Sequence, residues 1–156
     1  LKHVRRLKLY GASDKITKNV AIIPARGGSK RLPRKNILKI HNKPMICYTI
    51  EAALNSGCFD EIYISSEDHD ILNIAKNYPV EIHKRARSLA TDESTVAEVC
   101  LDVLREFKLG SGKMMCLYAT SPLRDSQDIL KTFELVDRKN CKRAYAATNF
   151  GLPVEQ

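Results

Sequence analysis

The sequence predicts an α/β protein with a three-layer αβα arrangement and a mainly parallel sheet at its centre. Three observations predict it. Short apolar runs such as Val20-Ala21-Ile22-Ile23 and Ile62-Tyr63-Ile64 alternate with longer segments of helical period. Between Thr95 and Phe107 the apolar residues Val96, Val99, Cys100, Val103, Leu104 and Phe107 recur at i, i+3, i+4 and i+7, the mark of a one-sided helix. Glycine, proline and small polar residues punctuate the transitions, as at Gly57, Gly110-Ser111-Gly112 and Thr120-Ser121-Pro122.

Each element follows in order. Residues 1–18 show no sustained period and read as a basic N-terminal extension, leaving 19–156 as one domain. A first strand covers 20–24. A helix runs from Pro44, suited to a first helical turn, to Ser56, with Gly57 just past its end. Ile62 to Ile64 is the second strand, and Glu67 to Asn77 a helix with acids at its start. Val80 to Ile82 is the third strand, Thr95 to Phe107 the third helix, and Met114 to Tyr118 the fourth strand. A further helix starts near Asp125, which can cap it, and presents Ile129, Leu130, Phe133 and Val136 on one face. Arg143 to Thr148 closes the pattern as a last strand. In parallel sheets ligands gather outside the carboxyl ends of the strands, so the loops beginning at Ala25, Ser65 and Ala119 should line one crevice.

Composition narrows the function. A chain of 156 residues with 44% hydrophobic and 28% charged side chains is ordinary for one globular domain. No apolar run approaches the roughly 20 residues that span a bilayer, and the basic N-terminus lacks the apolar core of a secretory signal. Cys47, Cys58, Cys100, Cys116 and Cys141 are odd in number and scattered, which reads as reduced, buried thiols in a cytoplasmic protein. His3, His41, His69 and His83 share no ligand spacing and read as surface residues. Asp68, Asp70, Asp92 and Asp125 read as helix-start acids. The net charge of +8 is localised: 1–18 hold six Lys/Arg against one acid, and 26–43 hold seven with none. The remaining residues hold 13 basic and 17 acidic side chains. With no reading module beside the positive charge, a nucleic-acid partner is not expected.

The stretch Pro24-Ala25-Arg26-Gly27-Gly28-Ser29-Lys30-Arg31-Leu32-Pro33-Arg34-Lys35-Asn36 carries the chemistry. It follows the first strand and packs two glycines and five cations into thirteen residues without an acid. Glycines allow close backbone approach to anionic oxygens, and cations supply charge for a polyphosphate. A Walker loop is excluded because G-x-x-x-x-G-K-[ST] is absent, and a dinucleotide fingerprint because only two adjacent glycines occur.

This loop resembles the signature of the acylneuraminate cytidylyltransferases (CMP-sialic acid synthetase family). Lys43-Pro44-Met45 to Ala53-Leu54, Phe59-Asp60-Glu61-Ile62, Ile64-Ser65-Ser66, Arg85 to Asp92 and Tyr118 to Arg124 resemble family segments in family order. The resemblance covers roughly Asn19 to Gln156. It implies the nucleotide-diphospho-sugar transferase-like (Rossmann-like) fold and transfer of CMP from CTP to an acidic nine-carbon sugar, releasing pyrophosphate. By resemblance, Arg26, Ser29 and Lys30 contact the triphosphate together with the backbone of Ala25, Gly27 and Gly28. Lys35 lies near the phosphates and Asn36 near the nucleotide; Arg26, Lys30 and Lys35 are the catalytic candidates. Arg31 and Arg34 are either further contacts or solvated flanking cations. Arg85 meets the cytosine, with Arg87 as competitor, while Thr91 and Ser94 contribute and Asp92 is either a contributor or a cap.

On the sugar side the resemblance places Tyr118, Thr120, Ser121 and Arg124. Many sialic acid enzymes have glutamine where Tyr118 falls, and Tyr-Ala-Thr looks more like the pseudaminic acid branch, which Leu152-Pro153-Val154-Glu155-Gln156 weakly echoes. Ser121-Pro122-Leu123-Arg124 is shared with sialic and legionaminic acid enzymes. The family implies Mg²⁺, with its principal ligands beyond residue 156, so no metal ligand is assigned in this sequence. It also implies a homodimer through a segment beyond that point. Two alternatives stay open. One is a CMP-Kdo synthetase, whose shorter Arg-Leu-Pro-Gly-Lys loop the sequence Pro33-Arg34-Lys35-Asn36 argues against; the other is a non-catalytic nucleotide-binding regulatory domain.

Overall fold

The computed structural model describes residues 18–110, 112–138 and 141–147. Most of the basic extension, His3, Thr148 and the closing Leu152–Gln156 lie outside the described residues.

Strand β1 (Val20–Pro24) forms the centre. After it come the two-residue strands β2 (Lys39–Ile40) and β3 (Lys43–Pro44), helix α1 (Met45–Ser56) and β4 (Glu61–Ser66). Helix α2 (His69–Ala75), β5 (Glu81–Lys84), α3 (Val96–Glu106), β6 (Met114–Cys116) and α4 (Ser126–Arg138) complete the described elements. The main sheet has the order β5-β4-β1-β6, and every pairing in it is parallel.

The period-2 side-chain pattern of β1 explains the three layers. Val20 and Ile22 point to one face, where Tyr63, Cys100, Val103 and Leu109 meet them. Ala21 and Ile23 point to the other, against Ile46, Ile50, Ile64, Ile71 and Ile129. A strand buried on both faces reads as a continuous apolar run, and this one does. From β1 to β4 to β5 the chain steps in one direction along the sheet, with α1 and α2 on one face. From β5 to β6 it steps back past β1, and α3 lies on the opposite face. Right-handed crossovers require that change of face when the direction reverses. The reversal leaves β1 and β6 as neighbours whose connections leave to opposite sides, the place where such sheets bind ligands.

Local chemistry sets the ends of the helices. Gly57 takes φ 66°, and its N–H donates to Leu54 O at 3.3 Å, a left-handed stop for α1. Thr95 caps α3: its hydroxyl accepts from Glu98 N at 3.2 Å while the Glu98 carboxylate accepts from Thr95 N at 2.7 Å. Asp125 and Asp128 exchange the same pair of bonds at the start of α4.

The sequence expectations are corrected at several places. Helix α2 is shorter than 67–77: Asp68 becomes its cap, accepting from the backbone N–H groups of Asp70 and Ile71. Glu67 is withdrawn from the helix to bond Gly27 and Arg85. Strand β5 begins at Glu81 and extends to Lys84, beyond the expected Ile82. Strand β6 stops at Cys116, so Tyr118 belongs to the loop that follows. Residues 143–147 form no strand. Residues 39–44 make a tight hairpin whose turn residues His41 and Asn42 take φ 47° and 64°, as such turns demand, and Pro44, expected in the helix, belongs to its second strand. The cysteines are free, but only Cys47 and Cys100 are buried. His41 and His69 are exposed as expected, whereas His83 is fully buried because its ring sits between β5 and α3.

Candidate functional site

A cleft of about 280 Å³ opens at the carboxyl ends of the sheet. It lies at the small end of the roughly 300–1,000 Å³ typical of ligand sites. The loop after β1 supplies Arg26, Ser29, Lys35 and Asn36; the segment after β5 supplies Arg85, Thr91 and Ser94; the loop after β6 supplies Tyr118 and Thr120. Three separate stretches of chain therefore converge where the sheet reverses direction.

The loop after β1 is held in shape by side-chain bonds at both ends. Buried Asn36, in a single 3₁₀ turn over Lys35–Ile37, donates through Nδ2 to Arg26 O at 2.9 Å and ties the end of the loop to its start. Gly27 N donates to Glu67 Oε1 at 2.8 Å. The other oxygen of Glu67 accepts from Arg85 Nη2 at 2.9 Å, so one carboxylate beneath the cleft aligns the loop and the guanidinium together. A Cβ on Gly27 would stand 2.3 Å from Asp68 Oδ2 and 2.8 Å from Asp68 Cβ, whereas one on Gly28 would meet nothing. Of the two glycines only Gly27 is sterically required, and its amide is spent on Glu67 rather than left for an anion. Replacing Gly27 with alanine is expected to push Asp68 off the start of α2 and cost about 1–2 kcal/mol, the worth of an N-cap. Gly28→Ala should be near neutral. Urea denaturation of both variants checks the contrast.

Arg26 is the most constrained cation of the cleft. Its Nη1 donates to Thr91 O at 3.1 Å and lies 2.8 Å from Asp92 Oδ1. Lys30 pairs with the other oxygen of Asp92, from the rim, with its side chain 81% exposed. Asp92 is thus no helix-start acid; its hydrogen bonds to Lys30 and Arg26 hold its carboxyl below the usual carboxylate range. Thr91 and Ser94 spend their hydroxyls on each other and on Ser88 O.

Arg85 is buried and lines the cleft, with its Nε unpartnered, whereas Arg87 is exposed and outside the lining. Arg34 pairs with Asp70 at 2.6 Å and Asp68 at 3.7 Å, away from the lining; Arg31 is exposed. Ala25 is buried behind the cleft, and Ser121 and Arg124 lie outside its lining. Arg124 instead folds back to donate to Tyr118 O at 3.1 Å, and burial lowers its pKa. Tyr118 keeps its ring half-exposed at the cleft.

Sequence reasoning missed Leu89, Val96 and Val99 in the lining and the bracing role of Glu67, and of the three loops expected around the crevice the one beginning at Ser65 supplies no lining residue. The apolar ones carried only a core signal. Glu67 did carry one, as an acid at the mouth of β4 facing a loop that has none of its own. The lining does not by itself supply a magnesium site, since its carboxylate Asp92 is already engaged by two cations. Among the described residues the one grouping of three potential metal ligands, His83, Asp102 and Glu106, lies outside it. No helix of the described residues is long and apolar enough to cross a membrane.

The parallel α/β sheet with a cationic cleft at its reversal point defines the class: an open α/β fold of the kind that binds its ligand at the carboxyl ends of the strands. Among solved structures, a CMP:2-keto-3-deoxy-manno-octonic acid synthetase complexed with CTP superposes with a TM-score of 0.68 at 22% identity, over 80% of this chain and 49% of that one. Residues 20–151 match the sequence profile of the family described as Cytidylyltransferase, and the chain belongs to that family. Relatives include the pseudaminic acid cytidylyltransferase of Campylobacter jejuni subsp. jejuni serotype O:2, 39% identical over 89% of this chain and 62% of that protein. The N-acylneuraminate cytidylyltransferase of Escherichia coli O18:K1:H7 is 34% identical over 85% of this chain and 32% of its own. The chain therefore spans less than two-thirds of the length of these relatives.

Proposed function

We propose that residues 19–156 form the nucleotide-binding domain of an enzyme that transfers CMP from CTP to an acidic nine-carbon sugar, with pseudaminic acid as the favoured acceptor. The observation that supports it most directly is the convergence of Arg26, Lys35 and Arg85 on one cleft, with Lys30 at its rim. In this reading the anomeric hydroxyl of the sugar attacks the α-phosphorus in line and pyrophosphate leaves. Phosphoryl chemistry of this kind is mostly positioning and neutralisation of charge on phosphate oxygens. Arg26, with its planar fork, and Lys30 hold the triphosphate; Lys35 follows the charge as pyrophosphate departs. Asp92 occupies Arg26 and Lys30 with two carboxylate oxygens, so the phosphates take over donors already arranged for an anion. Arg85 reads the cytosine from the wall braced by Glu67. The relatives described as pseudaminic acid cytidylyltransferases, at 39% and 41% identity, favour that acceptor. A Mg²⁺ requirement, a homodimer and a cytoplasmic location complete the proposal.

Pyrophosphate release by the full-length protein tests it, with CTP, ATP, GTP and UTP each paired with pseudaminic, legionaminic, sialic and Kdo acceptors. Turnover with CTP and a nonulosonic acid, abolished by chelation, is the expected result. Tight CTP binding with no acceptor turned over would establish the regulatory alternative instead. Tyr118→Gln should shift acceptor preference while leaving the apparent affinity for CTP unchanged, because in this reading the residue lines the cleft on the sugar side. An unchanged acceptor profile would remove Tyr118 from the sugar side.

A further inference from the structure

We infer that His83, Asp102 and Glu106 form a site for a divalent transition-metal ion, zinc by its donor chemistry, which staples strand β5 to helix α3. His83 is fully buried, with its side chain 1% exposed. Its Nδ1 lies 2.9 Å from Ser65 Oγ, a hydroxyl on the neighbouring strand that is itself buried. Its Nε2 is buried and makes no hydrogen bond. A buried ring nitrogen without a partner is costly, and native proteins seldom tolerate one. This nitrogen faces two carboxylates: Asp102 Oδ2 at 3.2 Å and Glu106 Oε2 at 3.3 Å. Asp102 and Glu106 sit four residues apart on α3, one above the other on the same helical face.

The separations suit a shared cation. Zinc bonds to imidazole nitrogen and carboxylate oxygen of about 2.0–2.1 Å give tetrahedral ligand-to-ligand edges of about 3.3 Å. The three donor atoms all lie within 4.8 Å of one another. The simpler arrangement is an imidazolium held by the two acids. That would place a proton on Nε2; with the ring proton on Nδ1, toward Ser65 Oγ, Nε2 instead presents a lone pair to the two carboxylates. Donation from Nδ1 to Ser65 Oγ then fixes the tautomer that leaves Nε2 free to ligate, the usual outer-shell support of a metal-bound histidine. Asp102 and Glu106 are 39% and 54% exposed, which gives a hydrated ion a way in and leaves room for water to complete the coordination. One imidazole with two carboxylates suits zinc or cobalt, whereas magnesium prefers oxygen donors alone.

The site is separate from the cleft, although β5 and α3 lead into its walls at Arg85 and Val96. Its test is independent of the catalytic proposal. The full-length protein, stripped with chelator, is titrated with zinc chloride by calorimetry and by ¹⁵N-resolved histidine NMR. Binding should move the Nε2 resonance of His83 while Nδ1 stays protonated. Asp102→Asn and Glu106→Gln, both isosteric and at positions reached by solvent, should each weaken that binding by at least the roughly 10–100-fold that loss of an outer-shell partner costs. Cobalt should give a visible absorption spectrum of low-coordinate type that the double variant loses. Zinc affinity at His83 unchanged in either variant, a His83 resonance that ignores zinc, or an equal response to magnesium overturns the assignment.

Discussion

Arg26→Ala is expected to lower kcat/KM for CTP by about 10²–10³-fold, the loss typical of removing one preorganised donor from a developing anion. The fold should persist, because the side chain lies on a loop and is partly exposed. Its Nη1 is held by Thr91 O and Asp92 before any phosphate arrives, so little is lost in ordering it. Arg26→Lys should recover only part of the loss, since an ammonium keeps the charge and not the two-pronged geometry. Steady-state kinetics of both variants, with circular dichroism as the folding control, checks this. A value for Arg26→Ala within a few-fold of the unsubstituted protein would remove Arg26 from the phosphate site. Lys30→Ala, at the exposed rim, should cost less than Arg26→Ala.

The largest effect on stability is expected at Ile23. Its side chain has no exposure and stands on the central strand, hydrogen-bonded on both sides, against Ile46, Ile50 and Ile64. Ile23→Ala should destabilise the domain by about 2–5 kcal/mol through lost burial and a cavity that helix α1 cannot collapse into; Ile23→Val should cost about 0.5–1.5 kcal/mol. Chemical denaturation of the two variants measures both. A loss below about 1 kcal/mol for Ile23→Ala would contradict the packing described for this face.

Much of the fold was legible because burial on both faces of a parallel sheet leaves uninterrupted apolar runs. Val20 to Ile23 and Ile62 to Ile64 could be read as strands, and the one-sided spacing of Val96, Val99, Cys100 and Val103 as a helix. Gly57 marked the end of α1 because its φ of 66° favours a residue without Cβ. The region 143–147 had strand-like composition and no strand, since strand formation depends on a partner and composition cannot supply one. His83 was misjudged for a related reason. A lone histidine between charged neighbours looks like surface, and only the crossing of α3 over β5 buries it.

The candidate site divides in the same way. The concentration of cations after β1, and the placement of that loop at the sheet's carboxyl edge, are properties of order along the chain. Chain order alone therefore determined the α/β class, the Gly57 end of α1, the Asp125 start of α4 and the presence of a loop rich in glycine and cations. Tertiary structure decided how those cations are held. Asp92, 66 residues after Arg26, engages Arg26 and Lys30, and Glu67 aligns Gly27 with Arg85. It also decided which glycine is indispensable and which arginine, 85 or 87, lines the cleft. The physical reason is range: periodicity and capping act within a few residues, whereas pairing of charges and close contacts of backbone depend on which distant segments the sheet brings side by side.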